Sequence, residues 1–158
     1  MIKTYPSSKI MWLIPGKLAK APMPDDEDLM RWKAEGITAV VNLLETSFED
    51  IVRDEKNAGF KVMHSSVNDF NAPTIEQLDE IVDWISAEID AGGKVLVHCF
   101  AGIGRTGTVL IACMLNNGMG MSEAIEKVLS LGSSPQSDEQ MAVLNNYCKE
   151  MFGIRRNE

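Results

Sequence analysis

Val97-His98-Cys99-Phe100-Ala101-Gly102-Ile103-Gly104-Arg105-Thr106-Gly107 is the stretch on which the reading of this chain turns. Just before it, Lys94-Val95-Leu96-Val97-His98 is a short β-branched, apolar run that predicts a buried strand. After it, Thr106 to Asn116 predicts a helix. In parallel α/β sheets, ligands gather beyond the carboxyl ends of strands. Helix N-termini offer unpaired N–H groups and the positive end of a dipole. A loop of small residues can curl so that its successive amides converge on an anion. Gly102 and Gly104 permit the backbone angles that such a curl requires. Arg105 adds a guanidinium fork matched to two phosphate oxygens. The phosphate-binding set is therefore Phe100, Ala101, Gly102, Ile103, Gly104 and Arg105. Cys99 stands at the floor of this nest, where the same donors favour its thiolate form and make it a candidate nucleophile.

Working outward, the pattern alternates between strands and helices. Ile10–Ile14 is a short apolar run stopped by Pro15-Gly16. Asp25–Glu35 predicts a helix with acidic residues in its first turn, where they suit the dipole, and Gly36 ends it. Ile37–Leu44 predicts a buried strand. Ser47 is an expected N-cap for a helix from Phe48 to about Ala58, closed by Gly59. Phe60–Ser65 predicts another strand, and Ser66 to Pro73 a loop. Thr74 and Gln77 form a capping box for a long helix whose Ile75, Leu78, Ile81, Val82, Ile85 and Ile89 share one face. Two further helices are expected, Ser122–Leu131 and Ser137 to about Phe152. The expected fold is one α/β layered domain spanning 1–158, with a largely parallel sheet flanked by helices and a loose tail over Met1–Ser8.

Composition narrows the function classes. The chain has 158 residues, 45% hydrophobic and 24% charged, a balance that excludes disorder as a description of the whole. Lys+Arg number 15 against 23 Asp+Glu, a net charge of −8, which argues against nucleic acid as a partner. The start is polar and lacks a secretory core segment. No run reaches the roughly 18 apolar residues of a membrane span. Three widely spaced cysteines, Cys99, Cys113 and Cys148, suit reduced thiols in a cytoplasmic protein rather than a disulfide framework. Only two histidines are present, His64 and His98, so no metal or other cofactor is expected. Membrane partners are not expected, and a monomer is the simplest oligomeric state.

His98-Cys99 through Thr106-Gly107 resembles the HCxxGxxR[S/T]G signature of cysteine-dependent protein tyrosine and dual-specificity phosphatases. Asp69-Phe70-Asn71-Ala72-Pro73, which begins 30 residues before Cys99, resembles that family's general-acid loop. Trp12 to Ala19 is similar to the entry strand of the small, catalytic-domain-only members, including archaeal ones. Pro135 to Gln140 resembles their C-terminal loop. The resemblance implies Cys99 as nucleophile, Arg105 as phosphate clamp and Asp69 as general acid. It implies Thr106 as a hydroxyl serving the leaving thiolate, and His98 as a support that orients the loop. Gln136 or Gln140 is a candidate for positioning water.

The implied activity is hydrolysis of phosphate esters on proteins or peptides, phosphotyrosine and also phosphoserine and phosphothreonine. Phosphoinositide enzymes of the same fold tend to carry lysines inside the loop, where Phe100 and Ile103 stand here. An RNA 5′-phosphatase, a non-catalytic phosphate-binding module and a redox enzyme with a resolving thiol are the other readings. Cys113 is expected to pack as a small apolar group, His64 to be structural, and the ten methionines to fill the core.

Overall fold

The computed structural model describes residues 10–156, so the tail expected over Met1–Ser8 lies outside the described residues. The expected α/β fold is the one the chain adopts. The strands are β1 (Met11–Ile14), β2 (Leu18–Ala21), β3 (Ala39–Asn42), β4 (Lys61–His64) and β5 (Val95–His98). They form a sheet in the order β1-β2-β5-β3-β4. β1 pairs antiparallel with β2, and every other pairing is parallel. The run ending at Pro15-Gly16 is therefore the first arm of a hairpin, and its return arm places β2 beside β5.

Alternation along the strands separates two cores. Val95, Val97, Ala39, Val41 and Leu18 point to one face, where they pack with α3 (Ile75–Asp90), α4 (Gly104–Asn116), α5 (Met121–Leu129) and α6 (Asp138–Arg156). Leu96, Val40, Ala19 and Ala21 point to the other, where Leu29 and Trp32 of α1 (Asp26–Ala34) cover them together with Phe60. Trp32 is fully buried and meets the ring of Phe60 edge to face at 6.2 Å. No helix among the described residues is long and apolar enough to cross a membrane.

The predicted strands are longer than the paired segments. Ile37–Leu44 contributes only Ala39–Asn42, because Asn42 turns its side chain back to accept from the Leu44 amide at 2.9 Å and ends the ladder. The α2 start also differs from expectation. Ser47 is not an N-cap: a 3-10 turn over Thr46–Phe48 precedes α2 (Glu49–Asn57), and the cap position, Phe48, makes no side-chain cap bond. A turn already satisfies the local backbone there, with the Phe48 amide donating to Glu45 O at 3.0 Å.

Of the other caps, Thr74 is where the sequence places it, whereas Asp25, expected as the first helical residue, stands just outside the helix. Asp25 caps α1, with Asp28 answering as the second half of a capping box. Thr74 accepts from the Gln77 amide at 3.1 Å, and Gln77 returns a bond to the Thr74 amide at 3.0 Å. Gln77 also donates to Ser65 Oγ and Ser66 O, so this cap fixes the loop between β4 and α3 as well as the helix end. Thr74→Ala should therefore cost about 1 kcal/mol of stability, read as a lower urea midpoint at unchanged slope. An unaltered midpoint would show that the cap carries no net stabilisation.

Candidate active site

The segment after β5 is the centre of the site. β5 brings Cys99 to the end of an interior strand, where it is 2% exposed. The chain then turns through Phe100 to Ile103 and enters α4 at Gly104, two residues before the predicted start. Gly104, Arg105 and Thr106 thus form the first helical turn, whose amides have no intrahelical acceptor and whose dipole end is positive. Ile103 occupies the N-cap position without a side-chain cap. The Thr106 hydroxyl is directed instead to Cys99, donating to Sγ at 3.0 Å.

The loop is wedged against its neighbours. Gly102 has φ +73°, and a Cβ there would lie 3.0 Å from the Ala21 carbonyl oxygen at the end of β2. Both the angle and the space call for glycine. A Cβ at Gly104 would meet Gln136 Oε1 at 2.6 Å and Gln140 Oε1 at 2.9 Å. The turn before α6 is therefore pressed against the phosphate-loop helix. The Met23 amide donates to Phe100 O at 3.0 Å and closes the loop from a third side.

Arg105, 2% exposed, is where three segments meet. Its Nη1 donates to Glu45 Oε1, in the turn after β3, and to Val67 O at 2.8 Å. Its Nη2 lies 3.5 Å from Asp69 Oδ1. Burial alone would raise the Glu45 carboxyl, but the hydrogen bond and charge of Arg105, with a backbone hydrogen bond, together outweigh it and hold the group below the ordinary carboxylate range. Arg105 Nε is buried and has no hydrogen-bond partner among the described residues. A buried donor of this kind, on a first helical turn whose amides lack intrahelical acceptors, is suited to an oxyanion.

His98 is wholly buried behind the loop. One ring nitrogen, Nδ1, is 3.1 Å from Cys99 O, and the other, Nε2, is 2.5 Å from Glu55 Oε2. Glu55 in turn accepts from Asn42 Nδ2 at 2.7 Å. This relay runs from α2 through β3 and β5 to the backbone of Cys99. A buried pair of this type is expensive to break from one side only, so it holds the loop's entry in a single geometry. Trp32 packs on the His98 ring at 5.7 Å.

Asp69 is 53% exposed at its side chain and sits at the mouth of the site. Its Oδ1 accepts from the Phe70 amide at 3.0 Å, and Phe70 adopts φ 63°, a left-handed conformation unusual for an aromatic residue. This tight turn directs the carboxylate toward Arg105. Two residues of α6 hold the next part of the loop: Glu139 Oε2 accepts from the Ala72 amide at 3.1 Å, and Gln140 Nε2 donates to Asn71 O at 3.1 Å. Phe70 and Phe100 are exposed, and Phe100 meets Phe48 at 6.1 Å, giving the mouth an aromatic wall.

The structure thus brings Cys99, Arg105, Asp69, Thr106, His98 and the Phe100–Gly104 loop to one place. Gln140 is fully buried, accepts from the Gln136 amide at 2.7 Å and braces the acid loop. His64 donates Nε2–H to Leu44 O at 2.8 Å, a structural bond. Burial pushes the Cys113 thiol up to about 12, in keeping with a packed apolar role. Sequence reasoning missed Glu45, Glu55, Lys20 and Ser133. Only their partners, far along the chain, reveal them.

The wider likenesses agree with this geometry. The family model described as "Polymorphic toxin system, DSP-PTPase phosphatase" matches residues 17–119. The dual specificity protein phosphatase PPS1 of Saccharomyces cerevisiae is 44% identical over 62 residues, which are 37% of this chain and 8% of the yeast protein. Dual specificity protein phosphatase 1B of Arabidopsis thaliana is 45% identical over 53 residues, 33% of this chain and 32% of that one. The chain therefore spans less than a third of the length of either relative. The crystal structure of Tk-PTP in the active form aligns with a TM-score of 0.83 and 33% identity, covering 92% of this chain and 99% of that one. With the signature loop, its cradle and these likenesses together, the chain belongs to the cysteine-dependent dual-specificity (DSP-PTPase) phosphatase family.

Proposed function

We propose that this chain is a protein phosphatase that hydrolyses phosphate monoesters on phosphotyrosine and on phosphoserine and phosphothreonine, through a phosphocysteine intermediate in one catalytic domain. The observation that carries the reading is a buried Arg105 Nε with no partner among the described residues, on the same first turn of α4 as the Thr106 hydroxyl that donates to Cys99 Sγ. Cys99 thiolate attacks phosphorus as the bond to the leaving oxygen breaks. Asp69, as the acid, gives its proton to that oxygen. Arg105 and the loop amides follow the equatorial oxygens as charge redistributes. Water then attacks the phosphocysteine while Asp69 carboxylate takes its proton. The S–P bond breaks, inorganic phosphate leaves, and the Thr106 hydroxyl bonds the returning thiolate. His98 orients the loop through Cys99 O and takes no proton in either step.

The mouth supports the breadth of substrate. Asp69 stands half-exposed at the rim rather than at the bottom of a deep slot, so a short phosphorylated side chain can reach both it and Cys99. The Phe48–Phe100 wall offers apolar contact to an aromatic ring. Phe100 and Ile103 leave the loop without the added positive charge that a polyphosphorylated headgroup would favour.

Three outcomes test this reading. The unmodified protein should release phosphate from para-nitrophenyl phosphate in the presence of chelator, and Cys99→Ser should abolish turnover; an inactive unmodified protein would sink the proposal. Asp69→Asn should slow substrates with poor leaving groups by roughly 10²–10⁴, while Asp79→Asn should not. Equal effects of the two would remove Asp69 from its role. A panel of phosphopeptides should show turnover of phosphothreonine as well as phosphotyrosine, and activity confined to phosphotyrosine would refute the broader substrate class.

A further inference from the structure

Lys20 lies in β2, an interior strand, and is only 7% exposed. It stands in register with Val97, and Val97 with Val41. Both valines belong to the core beneath α4, so the lysine enters the same face. Its Nζ donates to Gly102 O at 3.0 Å and to Ser133 Oγ at 2.6 Å. Ser133, itself buried, donates its own hydroxyl to Gly102 O at 2.6 Å. A buried ammonium is thus built into the underside of the phosphate loop.

Charge bookkeeping around the sulfur sets Lys20 apart. From α4, Arg105 approaches, but it is engaged by Glu45 and Asp69. From β5, His98 approaches, but Glu55 faces it. From β2 comes Lys20, and among the described residues no carboxylate lies within ion-pair distance of it. A desolvated cation without a counter-charge is costly. Burial pushes the Lys20 ammonium below its ordinary value, and the charge on Cys99 pulls it back up. The anions available to it are those the site creates, the Cys99 thiolate and the bound phosphoryl group.

We propose that Lys20 is a positioning residue for Cys99: its ammonium fixes the Gly102 carbonyl beneath the loop and supplies the unneutralised positive charge that favours the thiolate. The proposal rests on reading Cys99 as the nucleophile. It also gives Ser133 a part, since that hydroxyl relays Lys20 to the same carbonyl. Gly102 then meets two constraints at once, the close approach of Ala21 above and a bifurcated carbonyl below.

The test is the pH profile of Cys99 alkylation by iodoacetamide, read by peptide mass mapping so that Cys148 does not interfere. It is run on the unmodified protein, Lys20→Met and Lys20→Gln. Both variants should move the alkylation midpoint upward by about one pH unit, the size expected for losing one nearby charge, and kcat on para-nitrophenyl phosphate should fall more than KM rises. The Lys20→Gln variant keeps a donor for Gly102 and Ser133, so a matching shift in it assigns the effect to charge. The melting temperature of Lys20→Met should hold or rise, because a desolvated charge has been removed. An unchanged midpoint in both variants, or failure of both to fold, would overturn the proposal by making Lys20 a strut of the core. A protein that alkylates at Cys99 yet hydrolyses nothing would sink the phosphatase reading while leaving the Lys20 assignment tested.

Discussion

The guanidinium of Arg105 is the point on which the site depends. It belongs to the first turn of α4, yet its partners come from the turn after β3, through Glu45, and from the segment after β4, through Val67 O and Asp69. The connections that leave β3 and β4 and the loop that leads from β5 into α4 start at the same end of the parallel sheet, and one planar, fully charged group ties them there. Arginine can do this because its donors fan out in fixed directions. A lysine could not serve a carboxylate, a carbonyl and a phosphate together. With Nη1 bonded to protein and Nη2 near Asp69, Nε is the nitrogen left without a partner among the described residues. Arg105 therefore holds three protein segments together through its own bonds.

Behind this clamp the sheet provides a second, drier layer. The face of β3 and β5 that carries Val40 and Leu96 also carries Asn42 and His98, and α2 brings Glu55 to both. The opposite face, at β2, carries Lys20. Polar groups in strand interiors are normally a liability. Here each is bonded: His98 reaches Cys99 O, Lys20 reaches Gly102 O, and Asn42 bonds Glu55 and the Leu44 amide. The sheet thus orders the loop from both faces, at residues that cannot touch the substrate.

Much of this was legible in the sequence where the signal is local. The glycine positions, the cysteine and the arginine lie within seven residues of one another, Cys99 to Arg105, so the phosphate loop reads directly. The Thr74–Gln77 capping box is equally local and forms as expected. Ser47 misled because a serine before a helical pattern resembles a cap, whereas a 3-10 turn had already consumed the backbone donors. Glu55 and Glu45 look like ordinary polar helix and loop residues. Their partners are 43 and 60 residues away, and nothing in the pattern reports such distances. Lys20 lies in a four-residue strand too short to show a pattern, and its partners, 82 and 113 residues away, are what reveal it. The net charge of −8 was informative about long polyanions but silent about a local anion site built from one arginine and the amides of a helix's first turn.

The hold of α6 on the loop after Asp69 has a consequence in time rather than in space. Ala72 and Asn71 are fixed by Glu139 and Gln140, which follow them by 67 and 69 residues. A ribosome making roughly 5–20 residues per second therefore exposes the cysteine and the aspartate several seconds before the residues that set the aspartate's loop. The nascent chain would carry the parts of a phosphatase without their alignment. The loop after Asp69 therefore gains its last two bonds only when α6 has been made and has docked.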